Sequence, residues 1–152
     1  MEKINIAIAG VGNCASALLQ GIEMYKEMSD EPIGLMHYEL GGYKPGDINI
    51  VAAFDVDERK VGKKLKEALL SVPNCAQMFY DKLPDYPVEV KMGPVLDGVS
   101  EQMAEDDNEK MFVTADQEPC DVAQVLKESG AEMLISYLPV GSEQATRHYA
   151  QA

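Results

Sequence analysis

Between residues 10 and 15 the chain reads Gly-Val-Gly-Asn-Cys-Ala, directly after the apolar run Ile4-Asn5-Ile6-Ala7-Ile8-Ala9 and directly before a stretch with helical periodicity. Glycines at that spacing bring backbone N–H groups up to a phosphate. Gly10 permits the tight turn from strand to helix, Gly12 lets the main chain approach a diphosphate, and Ala15 lets helix and strand pack closely. The start of the helix adds orphan amides and a partial positive charge. Asp55 closes the apolar run 48–54 and is the second candidate. A carboxylate at the end of a second strand can accept from the adenosine ribose hydroxyls and repels a 2′-phosphate, so it favours NAD over NADP. It lies 43 positions after Gly12, where the usual fingerprint has about 20. A long connection, residues 29–47, accounts for the excess. Asp57 is better placed than Asp55 to cap the helix that follows, which leaves Asp55 for the cofactor.

Leu138, Pro139, Val140 and Gly141 follow a later apolar strand and are expected to face the same crevice, since ligands of open α/β sheets bind outside the C-terminal strand ends. Asp97, in Gly93-Pro94-Val95-Leu96-Asp97-Gly98, could reach its rim. Cys14 reads as a small residue beside the diphosphate rather than a redox thiol. His37 and His148 share no motif, and Tyr137 and Ser142 lack the Tyr-x-x-x-Lys spacing of a proton relay.

These residues need elements to hold them. Residues 4–9 form a first strand, and Ala15, Leu18, Leu19 and Ile22 give the next helix one apolar face, ending near Met28. Residues 29–47 are broken by Pro32, Gly34, Gly41, Gly42, Pro45 and Gly46 and read as a loop. After the second strand, Asp57 is expected to cap a helix with Val61, Leu65, Ala68 and Leu69 inward and Lys60, Lys63, Lys64 and Lys66 outward. A short third strand begins at 88–90. The acidic stretch 100–108 reads as exposed. A helix through Val122 and Leu126 ends on Gly130, a fourth strand covers 133–137, and a last helix starts at Ser142. The expected fold class is α/β: a Rossmann-like three-layer parallel sheet, incomplete at about four strands, with helices on both faces. Residues 1–152 are expected to be the N-terminal portion of one NAD-binding domain.

Twenty-six acidic against thirteen basic residues give a net charge of −13, a surface that repels nucleic acid and anionic lipid. Cys14, Cys75 and Cys120 are odd in number and widely spaced, which speaks against a disulfide framework and against a metal site. No apolar run is long enough for a bilayer and the first strand starts almost at once, so neither a membrane span nor a signal peptide is expected and the chain is expected in the cytoplasm.

Together, Gly10-Val11-Gly12-Asn13-Cys14-Ala15-Ser16, Gly34-Leu35-Met36-His37, Leu40-Gly41-Gly42-Tyr43, residues 52–57, residues 93–98 and Ser136-Tyr137-Leu138-Pro139-Val140-Gly141-Ser142-Glu143 resemble the prokaryotic branch of the myo-inositol-1-phosphate synthase family, in family order along the whole chain. The resemblance implies an NAD-dependent isomerase acting on glucose 6-phosphate: oxidation at C5, intramolecular aldol closure, then reduction of the inosose, with NAD regenerated. It implies that Gly10, Gly12, Asn13 and Cys14 meet the diphosphate, Asp55 the adenosine ribose, and Leu138, Pro139, Val140 and Gly141 the nicotinamide side. It also implies a homo-oligomer. The family's catalytic lysines come from sequence downstream of the matched segment, so no catalytic residue is assigned and the chain is expected to be inactive alone. The competing readings are a stand-alone NAD(H)-binding regulatory module and an S-adenosylmethionine-dependent methyltransferase.

Overall fold

Ile6 and Ile8 point to one side of the first strand and Ala7 and Ala9 to the other, and all four are buried. A strand of that pattern must be covered on both faces. The computed structural model of the chain, which describes residues 3–28, 32–98 and 111–152, shows how. The acidic stretch 100–108 lies outside the described residues. In chain order the elements are β1 (Ile4–Ala9), α1 (Asn13–Glu27), a 3₁₀ turn (Pro45–Asp47), β2 (Ile48–Asp55), α2 (Leu65–Leu70), β3 (Val90–Met92), α3 (Val122–Ser129), β4 (Met133–Ser136) and α4 (Glu143–Gln151). The strands lie in the order β3-β2-β1-β4, every pairing parallel. This is the expected α/β architecture.

One face of the sheet sets Ile6, Ile8, Ile50, Ala53 and Val90 against Ala15 and Leu19 of α1 and Leu65, Ala68 and Leu69 of α2. The other sets Ala7, Ala9, Ala52 and Phe54 against Val122 of α3 and Tyr149 of α4. Each fully buried leucine stabilises such a layer by roughly 2 kcal/mol. The β1–β2 register steps from Ile6–Ile50 to Ala7–Ala52, leaving Val51 as an extra residue. This bulge puts Ile50 and Ala53 on one face although they are three apart. Phe54 is thereby turned toward Tyr149 and Asp55 toward the glycine turn.

The segment after β2 departs from the expected helix. Gly62 takes a left-handed φ of 77°, and residues 62–65 pair with 88–90 through Gly62 N–H to Val90 O, Val90 N–H to Lys63 O and Leu65 N–H to Val88 O. The helix therefore begins only at Leu65, with Lys64 rather than Asp57 at the N-cap position and no side chain capping it. Asp57 is buried and bound instead by Arg59, whose guanidinium lies 2.6 Å from Oδ2, and by the Val113 amide. Burial pushes the Asp57 carboxyl up, but these hydrogen bonds and the Arg59 charge outweigh it and hold the group below the usual range.

The long connection is a built loop in its described part. Tyr38 donates from its hydroxyl to the Tyr25 and Met28 carbonyls, and Tyr25 donates to the Ile33 carbonyl, so the C-terminal end of α1 anchors it. Leu40 and Tyr43 exchange both backbone hydrogen bonds across Gly41 and Gly42, which have φ of 60° and 90°. Glycine takes the positive φ of such a two-residue turn without strain.

Candidate functional site

At the C-terminal ends of β1, β2, β3 and β4 a cleft of about 250 Å³ opens. Its first wall is the glycine turn. Gly10 has φ 93°, and a Cβ there would lie 2.8 Å from the Tyr137 carbonyl oxygen, so the turn fits against the end of β4 only as glycine. Gly12 is different. A Cβ there meets nothing within 4 Å, so the missing side chain leaves free space beside the helix start. The α1 ladder opens with Ser16 N–H to Gly12 O, which leaves the first-turn amides of Asn13, Cys14 and Ala15 without helical partners. No side chain caps α1 and its first turn holds no acidic residue, so its first-turn amides stay available to an anion.

The second wall is Asp55. Its Oδ2 accepts from Val11 N–H at 2.6 Å, and its Oδ1 accepts from the amides of Val56 and Asp57 at 2.8 and 2.9 Å. Three backbone donors fix the carboxylate at the cleft edge and leave further lone-pair positions for a ligand hydroxyl. The next peptide of the turn is held as well. Lys60, only 3% exposed, donates from Nζ to the Val11 carbonyl at 2.6 Å. The two peptides flanking the Val11 Cα are thus gripped by Asp55, the last residue of β2, and by Lys60 beyond it. Burial pulls the Lys60 ammonium below the usual lysine range, and the nearby Asp55 and Asp57 oppose that shift. Lys60 was expected on an exposed helix face. It lies inward because the helix starts five residues later than the lysine pattern implies.

Gly10, Gly12, Asn13, Asp55, Leu138 and Pro139 all line the cleft, as do Tyr137 and Lys60. Cys14 is exposed at the start of α1, Val140 is fully exposed, and neither they nor Gly141, at φ 95°, is among the lining residues. Asn13 turns its Oδ1 to the Cys75 amide at 2.8 Å, and Cys75 with Pro73 closes the cleft on the α1 side. That segment is fastened by Gln20, buried in α1, whose Oε1 accepts from the amides of Phe79 and Tyr80. Nothing in the residue pattern of 73–80 marks it as a site wall.

Asp97 turns to α4 rather than to the cleft. Its carboxylate accepts from the amides of Gln144 at 2.6 Å and Ala145 at 3.1 Å, capping a helix that its own Ser142 side chain does not cap. The backbone bond from Gln144 holds the Asp97 carboxyl below the usual range. Gly98 allows the approach, for a Cβ there would fall 2.3 Å from Ser142 Oγ. His37 and His148 are both exposed and line nothing here. The described residues contain no group of three or more His, Cys, Asp or Glu that could hold a metal, and no helix long and apolar enough to cross a membrane.

No family model matches the chain. Over 151 residues it is 45% identical to the inositol-3-phosphate synthase of Mycolicibacterium smegmatis, and over 153 residues 46% identical to that of Corynebacterium glutamicum. These alignments cover 98% and 99% of this chain and 40% of each relative. Among solved structures, the crystal structure of Ari2 superposes with a TM-score of 0.78 at 32% identity, covering 99% of this chain and 42% of that one. A myo-inositol-1-phosphate synthase-related protein of Thermotoga maritima superposes with a TM-score of 0.62 at 20% identity over 90% of this chain and 35% of that one, a likeness of fold. The resemblance carried by residues 10–16, 40–43 and 136–143 therefore extends along the whole sequence. The chain is a homologue of the inositol-3-phosphate synthases and spans about 40% of the length of these relatives.

Proposed function

We propose that residues 1–152 are a dinucleotide-binding unit that holds NAD for an inositol-3-phosphate synthase-type isomerase. The observation that carries this reading is Asp55, fixed by three amides beside the open N-terminus of α1 and lining the same cleft. The cleft fits the group on its own terms: free space at Gly12, uncapped amides for a diphosphate, and a carboxylate for ribose hydroxyls. In this reading the main chain at Gly10, Gly12, Asn13 and Cys14 receives the diphosphate, and Asp55 the adenosine ribose. Leu138, Pro139, Val140 and Gly141 border the nicotinamide side. When bound, NAD would supply a hydride acceptor that is reduced and then reoxidised within one cycle. This chain's part is to bind and orient it. Conversion of glucose 6-phosphate to inositol phosphate is assigned to the longer family architecture and not to these residues alone.

The test is a thermal titration of the purified chain with NAD, NADH, NADP and S-adenosylmethionine. A ligand at a hundredfold excess over Kd raises the apparent stability by about 2.7 kcal/mol. NAD is expected to do so, with NADP weaker. A shift with S-adenosylmethionine and none with NAD overturns the reading. Asp55→Ala is expected to weaken NAD about tenfold, the size expected for hydrogen bonds to a charged group, and to narrow its advantage over NADP. Inositol phosphate formed from glucose 6-phosphate and NAD by this chain alone would refute the assignment of the chemistry elsewhere.

A further inference from the structure

Tyr149 is buried to 5% exposure, and its ring packs on Phe54 with centroids 5.4 Å apart. A tyrosine placed so deep usually finds a partner for its hydroxyl. Among the described residues this one has none: no hydrogen bond there involves the Tyr149 hydroxyl, although Tyr25, Tyr38 and Tyr86 all use theirs. Among the described residues no fully sealed side-chain oxygen or nitrogen lacks a partner, so the phenol oxygen must keep contact with an open space. Tyr149 lines the cleft, and that is the space. The hydroxyl lies over Gly93, where a Cβ would fall 2.3 Å from the oxygen. Gly93 N–H in turn donates to the Asp55 carbonyl at 2.9 Å, so the phenol stands at the β2–β3 corner with Asp55. The glycine turn and Leu138 belong to the β1 and β4 ends.

We propose that Tyr149 is a ligand contact of the dinucleotide cleft, its hydroxyl donating to the adenosine half of the cofactor beside Asp55. The proposal rests on the NAD-binding reading above. It gives a role to a hydroxyl that the packing of the ring on Phe54 does not require. It also explains Gly93, which makes room for the oxygen and not for the ring, since the ring carbon bearing it is 3.6 Å from the same Cβ position. Burial keeps the phenol protonated throughout the ordinary pH range, as a donor must be.

The decisive variant is Tyr149→Phe, read without ligand and with NAD or AMP. Without ligand its melting temperature is expected to equal that of the parent, because no protein hydrogen bond is lost. The Kd for NAD and for AMP is expected to rise together by about fivefold, the worth of one neutral hydrogen bond. A lower melting temperature without ligand would reveal a structural partner and overturn the proposal. So would unchanged NAD binding. A weakened NAD with an unchanged AMP would overturn the assignment to the adenosine half. A parent chain that binds no NAD at all overturns the underlying reading, and this proposal with it. Gly93→Ala supplies an independent check on the oxygen's position. It is expected to destabilise the parent and to be tolerated in the Tyr149→Phe background, where the nearest ring atom stays at contact distance. Equal damage in both backgrounds overturns the placement.

Discussion

At the scale of single residues the site is built around one residue. Val11 has no side-chain chemistry, yet its N–H and C=O are each held at 2.6 Å by charged groups from the far end of β2. Holding the two peptide planes that meet at the Val11 Cα limits the direction of the amides that follow, which are those left open at the start of α1. Asp55 was legible from the amino-acid sequence because a carboxylate closing a buried strand is a visible signal. Lys60 was not, because Lys60, Lys63, Lys64 and Lys66 look alike and only Gly62 hints that the first of them is not on the helix. Lys60→Met removes the donor while keeping the length of the side chain. It is expected to increase amide exchange at residues 11–14 of the unliganded chain and to weaken NAD about tenfold, the size of a lost charge-assisted hydrogen bond. Lys60→Arg is expected to recover part of both. Exchange at 11–14 that matches the parent would show that Asp55 alone holds the turn.

At the scale of elements, the alternation of apolar runs with helical periodicities carried most of the fold: the four strands, α1, and α3 with its Gly130 C-cap, which takes φ 66°. What stayed hidden was non-local. The Val51 bulge depends on the register against β1, and the short α2 depends on β3 competing for the backbone of 62–65. The capping of α4 by Asp97 spans 47 residues, beyond any local pattern. That cap ties the loop after β3 to the helix carrying Tyr149, so it sets one side of the cleft. Asp97→Ala is expected to raise amide exchange in the first turn of α4 while leaving α3 unchanged. The cap also has a pH signature. The Asp97 carboxyl is held below the ordinary aspartate range, so its contribution is complete above that range and is lost as the pH falls through the lower folded value. Asp97→Asn should remove that part of the acid dependence of the α4 exchange. An identical acid profile in the two proteins would mean that the cap adds nothing in solution.

At the scale of the whole molecule, the sheet is unevenly covered. β1 and β2 are buried along most of their length, whereas Met133 at the start of β4 is 54% exposed and Leu134 and Ile135 are half-buried. β4 pairs with β1 on one side, and among the described residues its other edge carries no strand. Such an edge offers a row of backbone donors and acceptors beside apolar side chains and is a template for another chain. The net charge of −13 opposes contact between copies. Two effects of opposite sign therefore meet at this edge, and salt separates them. Raising the ionic strength from about 0.01 to 1 M shortens the Debye length from about 30 to 3 Å, which removes the repulsion and leaves the apolar contact intact. The chain is expected to self-associate with concentration, more strongly at high salt, as read by sedimentation equilibrium. Met133→Lys puts a charge on the edge and is expected to lower the association at both salts. A chain that stays monomeric at every concentration and salt would show that the exposed edge is harmless as it stands. An association untouched by Met133→Lys would move the contact to another face, the exposed Ile33, Met36 and Leu40 of the long connection being the next to substitute.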